Sequence, residues 1–228
     1  MQKLILWDID GTLLSTGGVA AAAMREALAQ TFGSAPSEER VSYAGKTDLQ
    51  ILVESLPHLS VEAVQQRFDR FATVYLGLLV DRQADLMARS RVMPGVIELL
   101  RQLRGRSFQG LLTGNIATVA RHKLHILGLL EYLDLEAGAF GGDHHTRPAL
   151  LPIAAARAAQ RYGRPFTGSD MVIVGDTPND ILCGRSGGAR TVAVATGAFS
   201  LDDLRAYQPD VLLPNLADPR ALEAIVGQ

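Results

Sequence analysis

Polar residues whose types could do chemistry directly follow three short apolar runs in the sequence. The runs are residues 4–7, 110–112 and 171–174, and the polar residues behind them are Asp8 and Asp10, then Thr113, then Asp176 and Asp180. Ligands of an open parallel sheet bind beyond the carboxyl ends of its strands. If the three runs are adjacent strands, four carboxylates and a threonine therefore meet in one crevice. A lone aspartate after a strand is more often a turn or a helix cap, but the same kind of cluster at three strand ends favours a functional site.

A crevice with several carboxylates needs a cation. Two unit charges about 4 Å apart repel by roughly 4 kcal/mol at an effective dielectric constant of about 20. Carboxylate oxygens with no nearby His or Cys are typical ligands of a hard cation such as Mg²⁺. Gly11 and Gly114 carry no Cβ and let backbone N–H groups approach an anion. The pattern therefore predicts a Mg²⁺ site beside a bound phosphate.

The apolar runs are short and nearly continuous, which is typical of strands buried on both faces of a parallel sheet. Two further runs follow at 191–195 and 211–213. Segments with helical spacing of apolar residues lie between the runs, at 96–103, 116–130 and 149–161. Strands that alternate with helices indicate an α/β fold, here a doubly wound parallel sheet with a Rossmann-like core.

Residues 16–90 show a different pattern. Helical spacing covers most of this stretch, at 19–32, 49–56 and 61–87, and no convincing strand is predicted in it. Glycine and proline residues that interrupt regular structure lie at both of its joints. The sequence therefore predicts an α/β core formed by 1–15 and 91–228, with a helical cap, 16–90, inserted after the first strand.

Composition restricts the class of protein. The chain has 228 residues and a net charge of −2, so it lacks the basic footprint of a nucleic-acid-binding protein. The single cysteine, Cys183, cannot form an internal disulfide, which indicates a reducing compartment. The first apolar run is too short for a signal peptide, and no stretch approaches the ~20 apolar residues of a membrane span. We expect a cytoplasmic protein with a small-molecule partner and neither a nucleic-acid nor a membrane partner; the pattern predicts no oligomeric state.

Three segments resemble motifs of the haloacid dehalogenase superfamily of hydrolases. LILWDIDGTLL resembles its first motif, DxDGT, LLTGN resembles the second, and VGDTPND resembles the fourth, GDxxxD. The helical insert lies where that superfamily inserts its mobile cap of the first type. The chain most resembles the phosphoglycolate-phosphatase-like group, over essentially its full length. The resemblance implies a Mg²⁺-dependent phosphatase that acts on a small phosphate monoester.

The same resemblance implies roles for the acidic residues. Asp8 would be the nucleophile that attacks phosphorus and becomes an aspartyl phosphate. Asp10 would start protonated, act as the general acid for the leaving oxygen, and then serve as the base for water. Asp8, the backbone carbonyl of Asp10 and Asp176 would hold Mg²⁺, with Asp180 in support. A carboxylate is a known covalent nucleophile for phosphoryl groups, so the chemistry agrees with these roles.

The phosphate-binding residues are the part where the sequence departs from the superfamily pattern. The resemblance implies that Thr113 and the N–H of Gly114 bind phosphate oxygens. The third motif is usually a lysine ahead of the helix that precedes the fourth motif, but Lys123 comes too early and is predicted inside a helix. Arg147 lies at the expected place. We therefore predict that Arg147 takes the role of that lysine, since its guanidinium offers a bidentate fork for phosphate.

Lys46 is a further candidate. Gly45-Lys46-Thr47 is similar to the end of a P-loop, but Arg40 stands where the first glycine of that motif would be, and no apolar strand precedes it. The resemblance instead places this segment on a cap loop that faces the site. Lys46 is thus a possible substrate contact, with a solvated surface lysine as the alternative.

Three other activities remain as alternatives to a phosphatase. A dehalogenase would need neither the second aspartate of the first motif nor a metal, so Asp10 argues against it. A phosphomutase acting on a sugar phosphate would use the same core and return the phosphoryl group to the sugar. A non-enzymatic phosphate-sensing module would bind phosphate without turnover.

Overall fold

The computed structural model of the chain describes residues 2–33 and 42–227. Within these residues the strands are β1 (Leu4–Trp7), β2 (Leu14–Ser15), β3 (Arg91–Val92), β4 (Phe108–Leu111), β5 (Met171–Gly175), β6 (Arg190–Val194) and β7 (Val211–Leu213). The main sheet of the described chain has five parallel strands in the order β4-β1-β5-β6-β7. The predicted doubly wound parallel sheet is therefore confirmed.

The described chain between β2 and β3 is helical. Its helices are α1 (Val19–Phe32), α2 (Asp48–Ser55), α3 (Val61–Gln65), α4 (Phe68–Asp81) and α5 (Gln83–Arg89). They share an apolar cluster to which Leu28, Leu52 and Phe71 contribute, and which also takes in Ile116 and Val119 from beyond the insert. The helices of the insert thus pack around a shared apolar cluster, and this cluster also contacts the segment that contains Ile116 and Val119. Its treatment as a separate cap domain, 16–90, stays a prediction.

Helices cover both faces of the main sheet. The side chains of β1 accordingly alternate between two apolar clusters, one on each face. Ile5 and Trp7 pack in one cluster, and Leu4 and Leu6 pack in the other. The helices that follow β3 are α6 (Val96–Leu103), α7 (Ala117–Ile126), α8 (Leu150–Tyr162), α9 (Pro178–Ser186), α10 (Leu201–Arg205) and α11 (Ala221–Val226). A strand that is apolar on both sides, as predicted for residues 4–7, fits this central position.

A small antiparallel pair joins the two ends of the insert. Leu14 of β2 lies opposite Val92 of β3, and the N–H of Met93 donates to the carbonyl of Leu13 at 3.0 Å. Two-residue strands are too short to show an alternating pattern, and the sequence did not predict them. The pair brings the exit and the return of the insert side by side, directly behind the polar loop that follows β1.

Some predicted elements differ from those observed. The helical pattern at 61–87 is divided into α3, α4 and α5, and the helix predicted at 116–130 ends at Ile126. Gly128, at φ +68°, turns the chain soon after this point. In the described residues, no helix combines the length and the apolar character that a membrane crossing requires.

Candidate active site

The central position of β1 brings the predicted polar residues together. β1 pairs with β4 on one side and β5 on the other, and Trp7 lies opposite both Leu111 and Val174. The segments that leave these three strands therefore begin at the same edge of the sheet. They contribute to a cavity of about 340 Å³ whose lining includes Asp8, Asp10, Gly114, Arg147 and Asp176.

Asp8, Asp176 and Asp180 form a buried acidic cluster in the described part of the chain, with one carboxylate oxygen of each within 4.8 Å of the others. Asp180 lies in the first turn of α9, where its Oδ2 accepts a hydrogen bond from the hydroxyl of Thr177 at 2.6 Å. Asp176 accepts a hydrogen bond from the hydroxyl of Thr12 at 2.9 Å. Threonine hydroxyls from two different loops thus fix the orientation of the cluster.

Arg147 is the buried cation beside this acidic cluster. Its Nη2 donates to Oδ1 of Asp8 at 2.7 Å and also donates to Oδ1 of Asp180. Burial raises the pKa of Asp8, Arg147 opposes this, and the charge of Asp180 adds to it. Burial and the charge of Asp8 likewise raise the pKa of Asp176. Although burial opposes it, the charges of Asp180 and Asp8 raise the pKa of Arg147, so its guanidinium stays charged.

The ligand atoms of the acidic cluster fit a hard divalent cation. They are carboxylate oxygens, which Mg²⁺ prefers, and no His or Cys of the described chain belongs to the group. Arg147 balances one of the three carboxylate charges, and the two that remain match the charge of Mg²⁺. The raised pKa values of Asp8 and Asp176 mark the buried negative charge that such a cation would offset.

The side chain of Asp10 is turned away from the acidic cluster, toward Asn115 and Lys123. Its Oδ2 accepts hydrogen bonds from Nδ2 of Asn115 at 2.8 Å and from Nζ of Lys123 at 2.7 Å. Nζ of Lys123 also donates to Oδ1 of Asn115 at 2.6 Å, which closes a ring of three side chains. The metal role predicted for Asp10 concerns its backbone carbonyl and stays a prediction.

Lys123 is a site residue that the sequence analysis set aside. It lies inside α7, as predicted, yet its side chain is buried and reaches Asp10. The spacing of Ile116, Val119 and Lys123 held a usable signal, since these positions share one face of a helix. A lysine in line with two buried apolar residues indicates a buried cation, and a buried cation needs an anionic partner.

Thr113 and Gly114 occupy the edge of the sheet next to Asp8. The hydroxyl of Thr113 is fully buried and accepts a hydrogen bond from Nδ2 of Asn115 at 2.9 Å. Gly114 lines the cavity, and a Cβ at this position would lie 1.9 Å from the carbonyl oxygen of Lys46. Glycine is thus required there for a close approach of two backbone segments, and phosphate binding by Thr113 and Gly114 stays a prediction.

A loop of the insert, residues 43–48, packs directly on this edge; we call it the insert loop. The carbonyl of Gly45 accepts a hydrogen bond from Nη1 of Arg147 at 3.2 Å, and the hydroxyl of Thr47 donates to the carbonyl of His145 at 2.8 Å. Lys46 lines the cavity and its ammonium forms an ion pair with Glu54; its role as a substrate contact stays a prediction. The insert loop therefore forms one wall of the cavity.

Asp48 and Tyr75 line the same cavity from the insert, and the sequence analysis did not select either of them. Burial raises the pKa of Asp48 to about 7, although its Oδ2 accepts a hydrogen bond from the N–H of Ile116 at 2.8 Å. Burial and the charges of Asp48 and Asp10 raise the pKa of Tyr75 well above its ordinary value. Asp48 begins a helix and Tyr75 follows a helical apolar pattern, so both resemble ordinary structural positions in the sequence.

Comparison with known proteins agrees with this arrangement. The model of the haloacid dehalogenase-like hydrolase family matches residues 2–188. A protein of Dickeya dadantii named "Probable phosphatase IndB" is 27% identical over 219 residues, which cover 96% of this chain and 92% of that protein. A phosphoglycolate phosphatase of Nitrosospira multiformis is 28% identical over 224 residues, which cover 96% of this chain and 95% of that protein.

A solved structure shows the same fold. It is that of a predicted phosphoglycolate phosphatase from Haemophilus somnus 129PT, with a TM-score of 0.65, 21% sequence identity, and coverage of 95% of this chain and 96% of that one. The family match spans most of the chain and includes the segments that carry Asp8, Thr113 and Asp176. The chain therefore belongs to the haloacid dehalogenase-like hydrolases.

Proposed function

We propose that this hydrolase is a Mg²⁺-dependent phosphatase that cleaves a small phosphate monoester through an aspartyl phosphate on Asp8. One observation carries the proposal. Asp8 belongs to the buried acidic cluster and, with Asp10, lines a cavity of about 340 Å³. A cavity of this volume lies at the lower end of the range for small-molecule sites, which supports a small ester as the substrate.

Asp8 and Asp10 would both act in each of the two chemical steps. In the first step a carboxylate oxygen of Asp8 bonds to phosphorus, the bond from phosphorus to the ester oxygen breaks, and Asp10 gives its proton to the leaving alcohol. In the second step Asp10 takes a proton from water, whose oxygen bonds to phosphorus and releases inorganic phosphate from Asp8. Both hydrogen bonds to the Asp10 carboxylate within the described chain go to Oδ2, which leaves Oδ1 to exchange the proton.

Mg²⁺ would be held by Asp8, Asp176 and the backbone carbonyl of Asp10, with Asp180 in support. When bound, the ion would offset the negative charge shared by the nucleophile and the phosphoryl oxygens. Thr12 supports the arrangement because its hydroxyl orients Asp176. Thr177 does the same for Asp180 through the cap of α9.

Phosphate oxygens would be bound by Arg147, by the N–H of Gly114 and by the hydroxyl of Thr113. Arg147 is already aimed at Oδ1 of Asp8, the atom that we expect to attack, at 2.7 Å. Its second Nη atom is fixed by the carbonyl of Gly45 in the insert loop. The guanidinium is therefore oriented from both the core and the insert, which suits a group that stabilises a charged transition state.

Lys123 would act as a positioning residue for Asp10. Its ammonium binds Oδ2 of Asp10 and Oδ1 of Asn115, and it lies in the buried part of α7. A carboxylate on a loop has several rotamers of similar energy, and a fixed cation selects one of them. In this way Lys123 would keep Asp10 within reach of the leaving oxygen.

The decisive experiment follows the phosphoryl group. Asp8→Asn is expected to abolish phosphate release, while Asp202→Asn, the same change at a largely exposed position, leaves it intact. In a single turnover stopped with acid, a radiolabelled phosphoryl group from the substrate should be found on Asp8; in water labelled with heavy oxygen, the label should enter the released phosphate and not the carboxylate of Asp8. Phosphate release with no phosphoryl group trapped on Asp8, or label in the carboxylate of Asp8, would contradict the proposal.

The same assay separates the alternatives. A phosphomutase would yield an isomerised sugar phosphate in place of inorganic phosphate. A sensing module would bind phosphate esters and release nothing. Chelation of Mg²⁺ should silence the enzyme, and added Mg²⁺ should restore its activity.

A further inference from the structure

The wall of the cavity on the insert side has an acidic and phenolic character that bears on the leaving group. Asp48 and Tyr75 line it together with Asp10. Asp48 accepts a hydrogen bond from the N–H of Ile116, and the preceding residue, Asn115, donates to Asp10, so this wall is on the side of the group that we expect to protonate the leaving alcohol. The inference below rests on the proposed phosphatase activity and specifies the class of ester.

Asp48 is fixed by backbone contacts that leave one of its oxygens for a ligand. Its N–H donates to the carbonyl of Gly114 at 2.7 Å, and its Oδ2 accepts from the N–H of Ile116 at 2.8 Å. Within the described chain the hydrogen bond to its carboxylate goes to Oδ2, and the residue is 6% exposed and lines the cavity. The other carboxylate oxygen is thus suited to accept a hydrogen bond from a molecule bound in the cavity.

Tyr75 adds a second polar group to this wall. It comes from α4, packs against Phe71 at 5.8 Å between ring centroids, and is 3% exposed. Because burial and nearby carboxylates keep its hydroxyl protonated, the phenol can both donate and accept a hydrogen bond. Asp48 and Tyr75 together match a hydroxyl group of a ligand.

The two lysines that line the cavity have partners of their own. Lys46 forms an ion pair with Glu54, and Lys123 donates to Asp10 and Asn115. Neither therefore supplies an unbalanced positive charge for an anion at this wall. A carboxylate on the leaving group would meet the charge of Asp48 there, without a dedicated cation to balance it.

We propose that the substrate is a phosphate monoester of a neutral, hydroxyl-bearing alcohol, and that Asp48 determines this preference by accepting a hydrogen bond from the distal hydroxyl. Esters whose leaving group carries a carboxylate are disfavoured. Phosphoglycolate, the ester that names several relatives of the chain, belongs to this disfavoured class.

Two esters of matched size test the preference. 2-Hydroxyethyl phosphate and phosphoglycolate differ at the distal carbon, which carries a hydroxyl in the first and is the carboxylate carbon in the second. Phosphate release is measured with Mg²⁺ at about pH 8, above the pKa of about 7 to which burial raises Asp48, and p-nitrophenyl phosphate serves as a general substrate. The kcat/KM of the hydroxyl ester is expected to exceed that of phosphoglycolate by about tenfold or more.

Asp48→Asn removes the charge and keeps an acceptor for the N–H of Ile116. It should lower the ratio of the two kcat/KM values by about tenfold, mainly through a gain in phosphoglycolate turnover. Asp69→Asn, the same change at an exposed position of α4, should leave the ratio unchanged. Tyr75→Phe, which alters no charge, should weaken the hydroxyl ester more than phosphoglycolate and gives an independent measurement if Asp48→Asn folds poorly.

The outcomes separate this inference from the proposed function. A wild-type preference for phosphoglycolate, or a ratio that neither Asp48→Asn nor Tyr75→Phe changes, would overturn the inference. Release of phosphate from p-nitrophenyl phosphate with neither matched ester cleaved would overturn it too, while the phosphatase stands. If all three esters stay intact with Mg²⁺, the proposed function fails, and the inference fails with it.

Discussion

Lys123 links a buried helix to the candidate general acid, and its replacement tests how much Asp10 depends on position. Lys123→Met leaves Asp10 with its hydrogen bond from Asn115 alone. We expect kcat to fall by about a hundredfold, since correctly placed acid–base groups contribute about 10²–10⁴, while KM changes little because the lysine does not bind the phosphate. Steady-state kinetics on p-nitrophenyl phosphate measure both values.

Two further variants control this prediction. Lys123→Arg keeps a cation at the position and should recover part of the lost kcat. Arg121→Met, on an exposed position of the same helix, should leave kcat unchanged. A fall in kcat that Lys123→Arg does not relieve, or a KM that rises as much as kcat falls, would count against a positioning role.

The raised pKa of Asp48 also predicts how the free energy of unfolding depends on pH. Burial raises its pKa from 3.8 to about 7 in the folded chain, so between these values the folded state keeps a proton that the unfolded state releases. The unfolding free energy therefore falls as the pH rises through this window, by up to about 4 kcal/mol. Asp48→Asn has no such proton and should be more stable than the wild type at about pH 8, with a smaller difference at about pH 5.

Urea unfolding at the two pH values, without Mg²⁺, measures this difference. Asp69→Asn serves as the control, since its carboxylate is exposed. An identical pH dependence in the wild type and Asp48→Asn would show that Asp48 is not held in a buried, charged state. If the Asp48→Asn variant is more stable than the wild type and has lost the preference for the hydroxyl ester, Asp48 lowers stability while it provides substrate specificity.

The position of the insert loop at the cavity should depend on Gly45. This residue has φ +67°, and a Cβ there would lie 2.3 Å from the hydroxyl oxygen of Thr177. Gly45→Ala should displace the loop and weaken the contact of Gly45 with Arg147, so we expect kcat/KM to fall by about tenfold. Kinetics with p-nitrophenyl phosphate measure the loss.

Gly163→Ala is the matched control for this loop. Gly163 has φ +68°, but a Cβ there would meet no atom within 4 Å. Both variants carry a similar backbone strain of about 1 kcal/mol, and only the first has a steric conflict at the site. Equal effects of the two variants on kcat/KM would show that catalysis does not depend on how the insert loop packs against the core.

Elements with a strong local pattern were predictable from the sequence, and contacts between distant segments were not. Val19–Phe32, Val96–Leu103 and Val211–Leu213 have the bounds that their apolar residues predict, because the two helices bury the face that the spacing marks and the strand is one short apolar run. The β2–β3 pair, Lys123 and Asp48 were missed. Their positions are set by partners far away in the chain, such as Asp10 for Lys123; the helical spacing indicates that Lys123 is buried, but it does not identify the partner.

The acidic cluster links metal binding to the stability of the whole molecule. Asp8, Asp176 and Asp180 are buried with Arg147 as a cation beside them, so burial and mutual repulsion disfavour the charged forms of Asp8 and Asp176 in the apo protein. Mg²⁺ should therefore raise the melting temperature in a saturable way, following the relation between ligand concentration and stability. Thermal unfolding over a series of Mg²⁺ concentrations measures this effect without reference to activity.

Asp176→Asn tests the link. It removes one charge from the cluster, so the apo form should melt at a higher temperature than the wild-type apo form. The increase caused by Mg²⁺ should be lost. Asp202→Asn, at a largely exposed position, should respond to Mg²⁺ as the wild type does. A Mg²⁺ response retained by Asp176→Asn would place the ion elsewhere.

Main-chain hydrogen bonds hold the end of the insert loop and the start of α2 on the core. The N–H groups of Asp48 and Leu49 donate to the carbonyls of Gly114 and Gly141, and such bonds do not depend on which side chains the loop carries. Lys46 can therefore be replaced, and Asp48 can be replaced by a residue whose side chain still accepts the N–H of Ile116, while these main-chain hydrogen bonds are kept. A library of variants at positions 46 and 48 is therefore a small set in which to screen for activity on esters whose leaving groups carry other charges.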